Sequence, residues 1–430
     1  MWPWSRGSFN SIHTHTTLFF TTAYSKTYIT NKTATKKTDK LKTNNPMIHR
    51  FILNEVSYFG PGSRSEIVCE LGRMAAKKAM VVTDPGLLQF GVAKMVTDVL
   101  DNAGFPYEVF AEVKPNPTVS NVKAGLAAFE KAQADVLIAI GGGSAMDTAK
   151  AIGIVARNPE FADIVSLEGC APTKNKCVPI IALPTTAGTA AETTINYVII
   201  DEEKQKKMVC VDPNDIPAVA IIDAELMYTL PKSLTAATGM DALTHAIEGY
   251  ITKGAWEMSD MFELEAIRMI HRHLATAVRE PRNAEARSGM ALAQYIAGMA
   301  FSNVGLGLVH GMAHPMGSLF DVPHGVANAL LLPSIMEFNA EAAKSKYREI
   351  ARAMGVNVDG MTDDEAASAA CKAVKDLAIE VGIPQHLSEL GIGEADIDRL
   401  SQQAFEDVCT PGNPRDVTLE DIKALYRALI

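Results

Sequence analysis

Two short segments of the sequence concentrate side chains that could bind a divalent metal. Asp241 and His245 stand four residues apart in GMDALTHAIEGY, so a helix would carry both on one face. Downstream, His310, His314 and His324 lie within VHGMAHPMGSLFDVPHG. A single histidine in such a setting is usually a core side chain bonded to a backbone carbonyl, but burying four rings and a carboxylate requires partners. The set therefore favours a metal site.

Spacing alone does not identify the complete ligand set. It pairs His310 with His314, again four residues apart, and leaves open which of the three downstream histidines bind. The metal is open as well, because an aspartate with several histidines suits Zn²⁺, Fe²⁺ or Ni²⁺ in chemical terms.

Three loops could bind a dinucleotide. GGGS at 141–144 follows the apolar run VLIAI and opens a helix-like segment, where backbone N–H groups and the helix dipole can reach a pyrophosphate. It is not GxGxxG, and an ordinary βα turn explains it equally well. Asp84 follows AMVVT and could accept hydrogen bonds from ribose hydroxyls, although the Pro-Gly pair after it favours a helix N-cap. The threonines of LPTTAGT at 183–189 could contact phosphate or only their own backbone.

Two kinds of element must position these residues. Before about residue 224, nearly continuous apolar runs alternate with amphipathic stretches, which predicts a doubly wound, mostly parallel α/β domain at 47–226. Helix-like segments dominate from 227 to 430 and predict an all-α domain. Ligands of open α/β sheets bind beyond the carboxyl ends of the strands, so the cleft between the two domains is the expected site.

The boundaries of these elements follow from the same pattern. The predicted strands are Ala79–Thr83, Tyr107–Val113, Val136–Ile140, Val178–Leu183 and Val219–Ile222. The predicted helices are Ser120–Ala132, Ala145–Ala156, Ser233–Tyr250, Glu257–Glu280, Ala284–Asn303, Glu337–Met354, Thr362–Val381 and Thr418–Leu429.

Composition narrows the class of protein. The formal net charge of −10 over 430 residues argues against a general nucleic-acid binder. Six cysteines without a CxxC pair indicate reduced thiols in a cytoplasmic protein, and no apolar run is long enough to span a bilayer. Residues 1–46 are rich in Thr, Ser, Asn and Lys and hold one acid, Asp39. We interpret them as a disordered leader or an over-extended start rather than a transit or secretory peptide, because most of the targeting signature is missing.

Six motifs together resemble one protein family. Residues 47–430 are similar along essentially their whole length to the iron-containing, group III alcohol dehydrogenases, whose α/β domain is dehydroquinate synthase-like. The segments that carry the likeness are GGGSAMDTAK at 141–150, PTTAGTAAE at 184–192, GMDALTHAIEGYITKGAW at 239–256, FSNVGLGLVHGMAHPMG at 301–317, VPHGVANALLLP at 322–333 and CTPGNPR at 409–415. The histidine-bearing blocks are the most specific of these, and the leader is the one departure from the family.

The resemblance implies roles that spacing leaves open. It implies Fe²⁺, with Zn²⁺ as the alternative, held by Asp241, His245, His310 and His324, and it makes His314 a catalytic residue rather than a ligand. It implies NAD(H) as cofactor, contacted by Asp84, Asn116, Gly142, Gly143, Ser144, Asp147, Thr185, Thr186, Thr189, Asn196 and Lys207. Phe301 and Cys409 would border the substrate pocket, with core packing as the competing interpretation for both.

The family also implies a substrate class and an assembly. We expect an oxidoreductase for short-chain aldehydes and alcohols, working as a homodimer without nucleic-acid or membrane partners. The wording GYITKGAW at 249–256 favours members that interconvert lactaldehyde and 1,2-propanediol. Dehydrogenases for 1,3-propanediol, ethanol or methanol, and a zinc enzyme of the glycerol dehydrogenase type, remain alternatives. A non-catalytic assembly protein is disfavoured by the intact ligand set.

Overall fold

The first half of the described chain is built around a parallel sheet. The computed structural model describes residues 48–430, and the leader predicted at 1–46 lies outside that range. The strands of this half are β1 Val56–Phe59, β2 Ala79–Val82, β3 Tyr107–Phe110, β4 Val136–Gly141, β5 Ile180–Pro184, β6 Asn196–Asp201, β7 Lys206–Val211 and β8 Val219–Ile222. Six of these strands form one sheet in the order β1-β8-β5-β4-β2-β3, with every neighbouring pair parallel. The remaining two, β6 and β7, form an antiparallel hairpin.

Helices cover both faces of this sheet. They are α1 Ile67–Arg73, α2 Pro85–Gln89, α3 Val92–Ala103, α4 Val119–Ala132 and α5 Gly143–Arg157. Strands β2, β4, β5 and β8 are buried throughout, as expected for strands packed on both sides. The side chains of β2, β4 and β5 alternate between two apolar clusters, one with α4 and α5 and the other with α1 and α3, whereas those of β8 alternate between the latter and the core of the helical half.

The second half of the described chain is helical and has its own core. Its helices are α6 Lys232–Ile251, α7 Glu257–Arg279, α8 Ala284–Val304, α9 Leu308–Phe320, α10 His324–Asn339, α11 Lys344–Ala353, α12 Asp363–Glu380, α13 Ile397–Glu406 and α14 Leu419–Arg427. The largest apolar cluster of the described residues lies among them. The predicted order, a doubly wound α/β half followed by a helical half, is confirmed. The boundary at 226–227 stays a prediction, since residues 50–430 form one compact unit.

Some predicted elements need correction. The single helix Glu337–Met354 is wrong, because α10 ends at Asn339, a 3-10 turn follows at Ala340–Ala342, and α11 begins at Lys344. Helices α9 and α10 were not predicted: both are buried over most of their length and contain an internal proline, so they lack an amphipathic pattern. Strand β1, in which Ser57 interrupts the apolar residues, was also missed, and so was the β6–β7 hairpin, although it contains the apolar runs YVII and MVCV.

The sheet brings two predicted cofactor loops together. In the β4–β5 register Gly141 pairs with Pro184, so the glycine turn and the threonine loop leave the same edge side by side. A Cβ at Gly141 would lie 2.5 Å from the Ala145 Cβ, so only glycine allows α5 to start this close to its strand. Of the described helices, none alone is long and apolar enough to cross a bilayer, and one pair bent by 100°, α8 with α9, meets the test only jointly.

Candidate active site

Four side chains from three helices converge on one point. Asp241 and His245 lie one turn apart on α6, His310 lies in the first turn of α9, and His324 is the first residue of α10. One potential ligand atom from each lies within 4.8 Å of the others. Asp241, His245 and His310 are buried and His324 is partly exposed. These are the four residues that the family resemblance implies as metal ligands.

Close packing of helices places His324 beside Asp241. Gly325, the second residue of α10, lies against α6, and a Cβ there would come 2.6 Å from the Ala237 carbonyl oxygen. The chain turns back between α9 and α10 at Asp321, which adopts a left-handed conformation with φ of 55°. This turn lets His310 and His324, fourteen residues apart, face the same point.

The chemistry of these donors fits a divalent metal. Burial lowers the pKa of His245 to about 4 and holds the pKa values of His310 and His324 well below the ordinary value, so the three rings are neutral at pH 7. Neutral imidazoles and a carboxylate are the protonation states that metal binding needs. The His245 and His310 Nε2 atoms are 3.0 Å apart, with the lone pair of at least one available between them.

Two further side chains contact the four-residue cluster from outside. The Glu248 Oε2 lies 2.6 Å from the His310 Nδ1. The Asn328 Nδ2 lies 2.6 Å from the Asp241 Oδ1 and 3.1 Å from the Nε2 atoms of His310 and His324. Burial raises the pKa of Glu248 to about 7, although backbone N–H groups at the start of α9 lower it. Outer contacts of this kind orient ligands in metal proteins.

His314 belongs to a different group. Its Nδ1 lies 2.8 Å from the Asp407 Oδ2, and its ring lies parallel to that of His324 with centroids 5.5 Å apart. His314, Asp407 and Cys409 form a second cluster within 4.8 Å. Burial would raise the pKa of Asp407, but the charge and hydrogen bond of His314 outweigh it, so the pKa falls below its usual range. The structure thus groups His310 with His324, whereas spacing paired it with His314.

A cleft of about 200 Å³ joins the histidines to the sheet half of the molecule. Three of the four implied ligands line it, together with His314 and both implied pocket residues, Phe301 and Cys409. The implied cofactor residues that line it are Asn116, Gly143, Ser144, Asp147, Thr189, Asn196 and Lys207. Their convergence on one cleft with the histidines is the main geometric feature of the site.

The other implied cofactor residues do not line this cleft. Asp84 follows β2 and its Oδ1 accepts the Leu87 N–H at 3.0 Å, so it is the N-cap that its sequence context favoured. Thr185 is buried and its N–H donates to the Gly141 carbonyl at 2.9 Å. Gly142 lies against Thr186, whose Oγ1 would be 3.2 Å from a Cβ at that position. All four lie along the carboxyl edge of the sheet, since β2 and β5 both flank β4.

Charged and aromatic groups in the cleft have distinct environments. Burial raises the pKa of Asp147 to about 7 and lowers that of Lys207, and each partly offsets the effect on the other. Asn116 donates to the Asp321 Oδ1 at 3.0 Å and so links the two halves.

Phe301 stacks on the His245 ring with centroids 4.2 Å apart, so it packs in the core and borders the cleft at once. Burial holds the pKa of Cys409 well above that of a free thiol, which leaves it a poor nucleophile.

Comparison with known proteins decides the family. The family model described as "Iron-containing alcohol dehydrogenase" matches residues 54–224, and "Fe-containing alcohol dehydrogenase family, C-terminal" matches residues 235–430. The chain belongs to the iron-containing alcohol dehydrogenase family. The prediction of an oxidoreductase for aldehydes and alcohols is confirmed with it.

Individual members of the family match nearly their full length. Lactaldehyde reductase of Escherichia coli strain K12 is 56% identical over 380 residues, which are 88% of this chain and 99% of that protein. NAD-dependent methanol dehydrogenase of Bacillus methanolicus is 41% identical over 377 residues, 88% of this chain and 98% of its own. A crystal structure of 1,3-propanediol oxidoreductase superposes with a TM-score of 0.87 at 41% identity, covering 89% of this chain and all of that one.

Sequence reasoning missed several residues of this family member's site. Glu248 stands three residues after His245, and Asn328 four residues after His324, so both lie on the faces that carry the ligands. That spacing was a usable clue. Asp407, which contacts His314, lies 93 residues from it in sequence, and no local pattern indicates that contact. Leu306 lines the cleft, but as a single apolar residue it gives no signal of its own.

Proposed function

We propose that this enzyme interconverts lactaldehyde and 1,2-propanediol, with NAD(H) as hydride carrier and Fe²⁺ at the cluster of Asp241, His245, His310 and His324. The observation that carries the proposal is the meeting of this cluster with the glycine turn in one cleft. The choice of lactaldehyde rests on the 56% identity to a lactaldehyde reductase, and the choice of NAD on the name of the methanol dehydrogenase relative.

The protein's own residues suggest how hydride transfer would be supported. A bound divalent ion would supply Lewis-acid polarisation of the substrate carbonyl, and reduced nicotinamide would supply the hydride. Asp241 and the three neutral imidazoles would hold the ion, and Phe301, stacked on His245, would restrict the space beside them. Leu306 and Cys409 border the same space and help to exclude water.

His314 is the candidate for moving the proton. Its Nδ1 is bonded to the Asp407 carboxylate, which leaves Nε2 as the ring atom able to exchange a proton. Asp407 is in turn fixed by the Cys409 N–H, which donates to its Oδ1 at 2.8 Å. The arrangement orients the ring in the way that carboxylate–histidine pairs do in other enzymes.

Substrate choice is tested by a panel of aldehydes with NADH. Because Phe301, Leu306 and Cys409 restrict the cleft beside the histidines, we expect kcat/KM for lactaldehyde and glycolaldehyde to exceed that for butanal by about 10-fold or more, the effect of added methylenes in a filled pocket. A preference for butanal or for secondary alcohols would contradict the substrate assignment. Higher activity with 3-hydroxypropanal, acetaldehyde or formaldehyde would favour the 1,3-propanediol, ethanol or methanol alternative.

The metal assignment is tested separately. We expect protein prepared without oxygen to contain Fe²⁺, and chelator-treated protein to regain turnover with Fe²⁺ more than with Zn²⁺. Divalent-ion affinities favour Zn²⁺ over Fe²⁺ at most nitrogen and oxygen sites, so activity rather than occupancy is the decisive measurement. Full activity with Zn²⁺ alone would favour an enzyme of the zinc glycerol dehydrogenase type.

Asp84 offers a test of cofactor choice. Its carboxylate lies at the carboxyl end of β2, where it would accept ribose hydroxyls and repel a 2′-phosphate. We expect Asp84→Asn, which keeps an N-cap side chain, to raise the NADPH-to-NADH ratio of kcat/KM by roughly 10-fold or more, because removing a like charge is worth a kcal/mol or more. Asp98→Asn, at a partly exposed carboxylate of α3, is the matched control. An unchanged ratio would mean that Asp84 acts only as the N-cap of α2 and does not select the cofactor.

Assembly and location rest on the family resemblance. We propose a homodimer in the cytoplasm, and the six free cysteines, all within the described residues, are consistent with a reducing compartment. Light scattering at micromolar concentration tests the dimer: a monomeric mass would contradict it.

A further inference from the structure

Glu248 joins the metal cluster to the start of helix α9. It lies on α6, three residues after His245, and is 2% exposed. Its Oε2 lies 2.6 Å from the His310 Nδ1, and its Oε1 accepts the Val309 N–H at 2.6 Å. The His310 N–H also points at Oε2, at 3.4 Å. One buried carboxylate therefore contacts both the side chain and the backbone around a single ligand.

The contact with Glu248 favours one tautomer of His310. In its ionised form Glu248 only accepts hydrogen bonds, so His310 then donates from Nδ1 and its Nε2 is left with a lone pair. That Nε2 is the atom facing His245 and Asn328 within the cluster. The backbone contacts hold the first turn of α9 at the same time, since the N–H groups at a helix start have no partner within the helix. Ring and backbone are thus oriented by one group.

A neighbouring glycine leaves the space that this carboxylate occupies. Gly307 precedes α9, and a Cβ there would lie 3.0 Å from the Glu248 Oε1 and 3.2 Å from the Asn413 Oδ1. Even alanine at 307 would therefore push on the carboxylate without changing its chemistry.

We propose that Glu248 is a positioning residue of the metal centre, which fixes the orientation of the His310 ring and of the first turn of α9 and thereby the affinity for the metal. The proposal rests on the proposed function only in taking the four-residue cluster as the metal site. Carboxylates behind metal-bound histidines typically contribute about 10–100-fold to metal affinity.

The test measures Co²⁺ and Zn²⁺ affinity by chelator competition, with the visible spectrum of the Co²⁺ form as a second readout. In Glu248→Gln either the Val309 N–H or the His310 Nδ1–H faces an amide NH₂ and loses its acceptor. We expect roughly 10–100-fold weaker metal binding and an altered Co²⁺ spectrum. Gly307→Ala is expected to weaken metal binding a few-fold, because it displaces the Glu248 carboxylate without changing its chemistry. It is the variant to measure if Glu248→Gln fails to fold.

The matched control removes a cap of the same helix without touching His310. The Asn413 Oδ1 accepts the Leu308 N–H at 3.3 Å, so Asn413→Ala should lower the unfolding temperature of chelator-treated protein and leave metal affinity within about 2-fold. Wild-type affinity in Glu248→Gln, or an equal loss in Asn413→Ala, would overturn the proposal. If His310→Ala also kept its metal, the metal site itself would be in the wrong place, which separates the two failures.

Discussion

Replacing His310 with alanine is expected to remove the metal and to lower kcat/KM for lactaldehyde reduction about a thousand-fold or more. His310 is buried, neutral and within reach of the other three donors, so its loss leaves an incomplete ligand set. Lewis-acid polarisation of a carbonyl is worth several kcal/mol, and each 1.4 kcal/mol corresponds to about ten-fold in rate. Metal content by elemental analysis and steady-state kinetics with NADH measure both effects.

The control is a histidine away from the cluster. His271 is exposed on α7, and His271→Ala should keep both the metal and the activity. If His310→Ala retained stoichiometric metal and near wild-type turnover, the cluster would have a structural role and the catalytic metal would lie elsewhere.

Replacing His314 with alanine is expected to leave the metal bound and to lower kcat by about 10²–10⁴-fold, the usual contribution of a positioned acid or base. The His314 Nδ1 lies 2.8 Å from the Asp407 Oδ2. Asp407→Asn should therefore lower kcat by a smaller factor, because the ring loses its charged partner but the imidazole itself is still present. Metal content must be unchanged in both variants, since neither residue belongs to the four-residue cluster.

Metal content in His324→Ala is the comparison that distinguishes a ligand from a proton-transfer residue. The rings of His314 and His324 are parallel and 5.5 Å apart, so the two substitutions disturb nearly the same space. Loss of metal in His324→Ala and its retention in His314→Ala would support the assignment of His324 as ligand. The reverse result would restore the pairing of His310 with His314 that simple spacing suggests.

Much of the fold was predictable because it depends on local pattern. The central strands are buried on both faces, so β2, β4, β5 and β8 appear in the sequence as continuous apolar runs. Helices α7 and α12 are amphipathic and were predicted within a residue or two of their observed bounds. Helices α9 and α10 were not, because a helix buried nearly all round has no polar face to reveal its period.

The active site divides in the same way. Asp241 and His245 could be paired from sequence because four residues on one helix share a face, and Glu248 follows the same rule. Sequence by itself also determined which side chains were available, namely one aspartate and a group of histidines in apolar surroundings. Only the tertiary structure decided that His324 joins His310 while His314 turns to Asp407. That choice depends on the reversal of the chain at Asp321 and on α13 ending near α9, and contacts between residues distant in sequence leave no trace in local spacing.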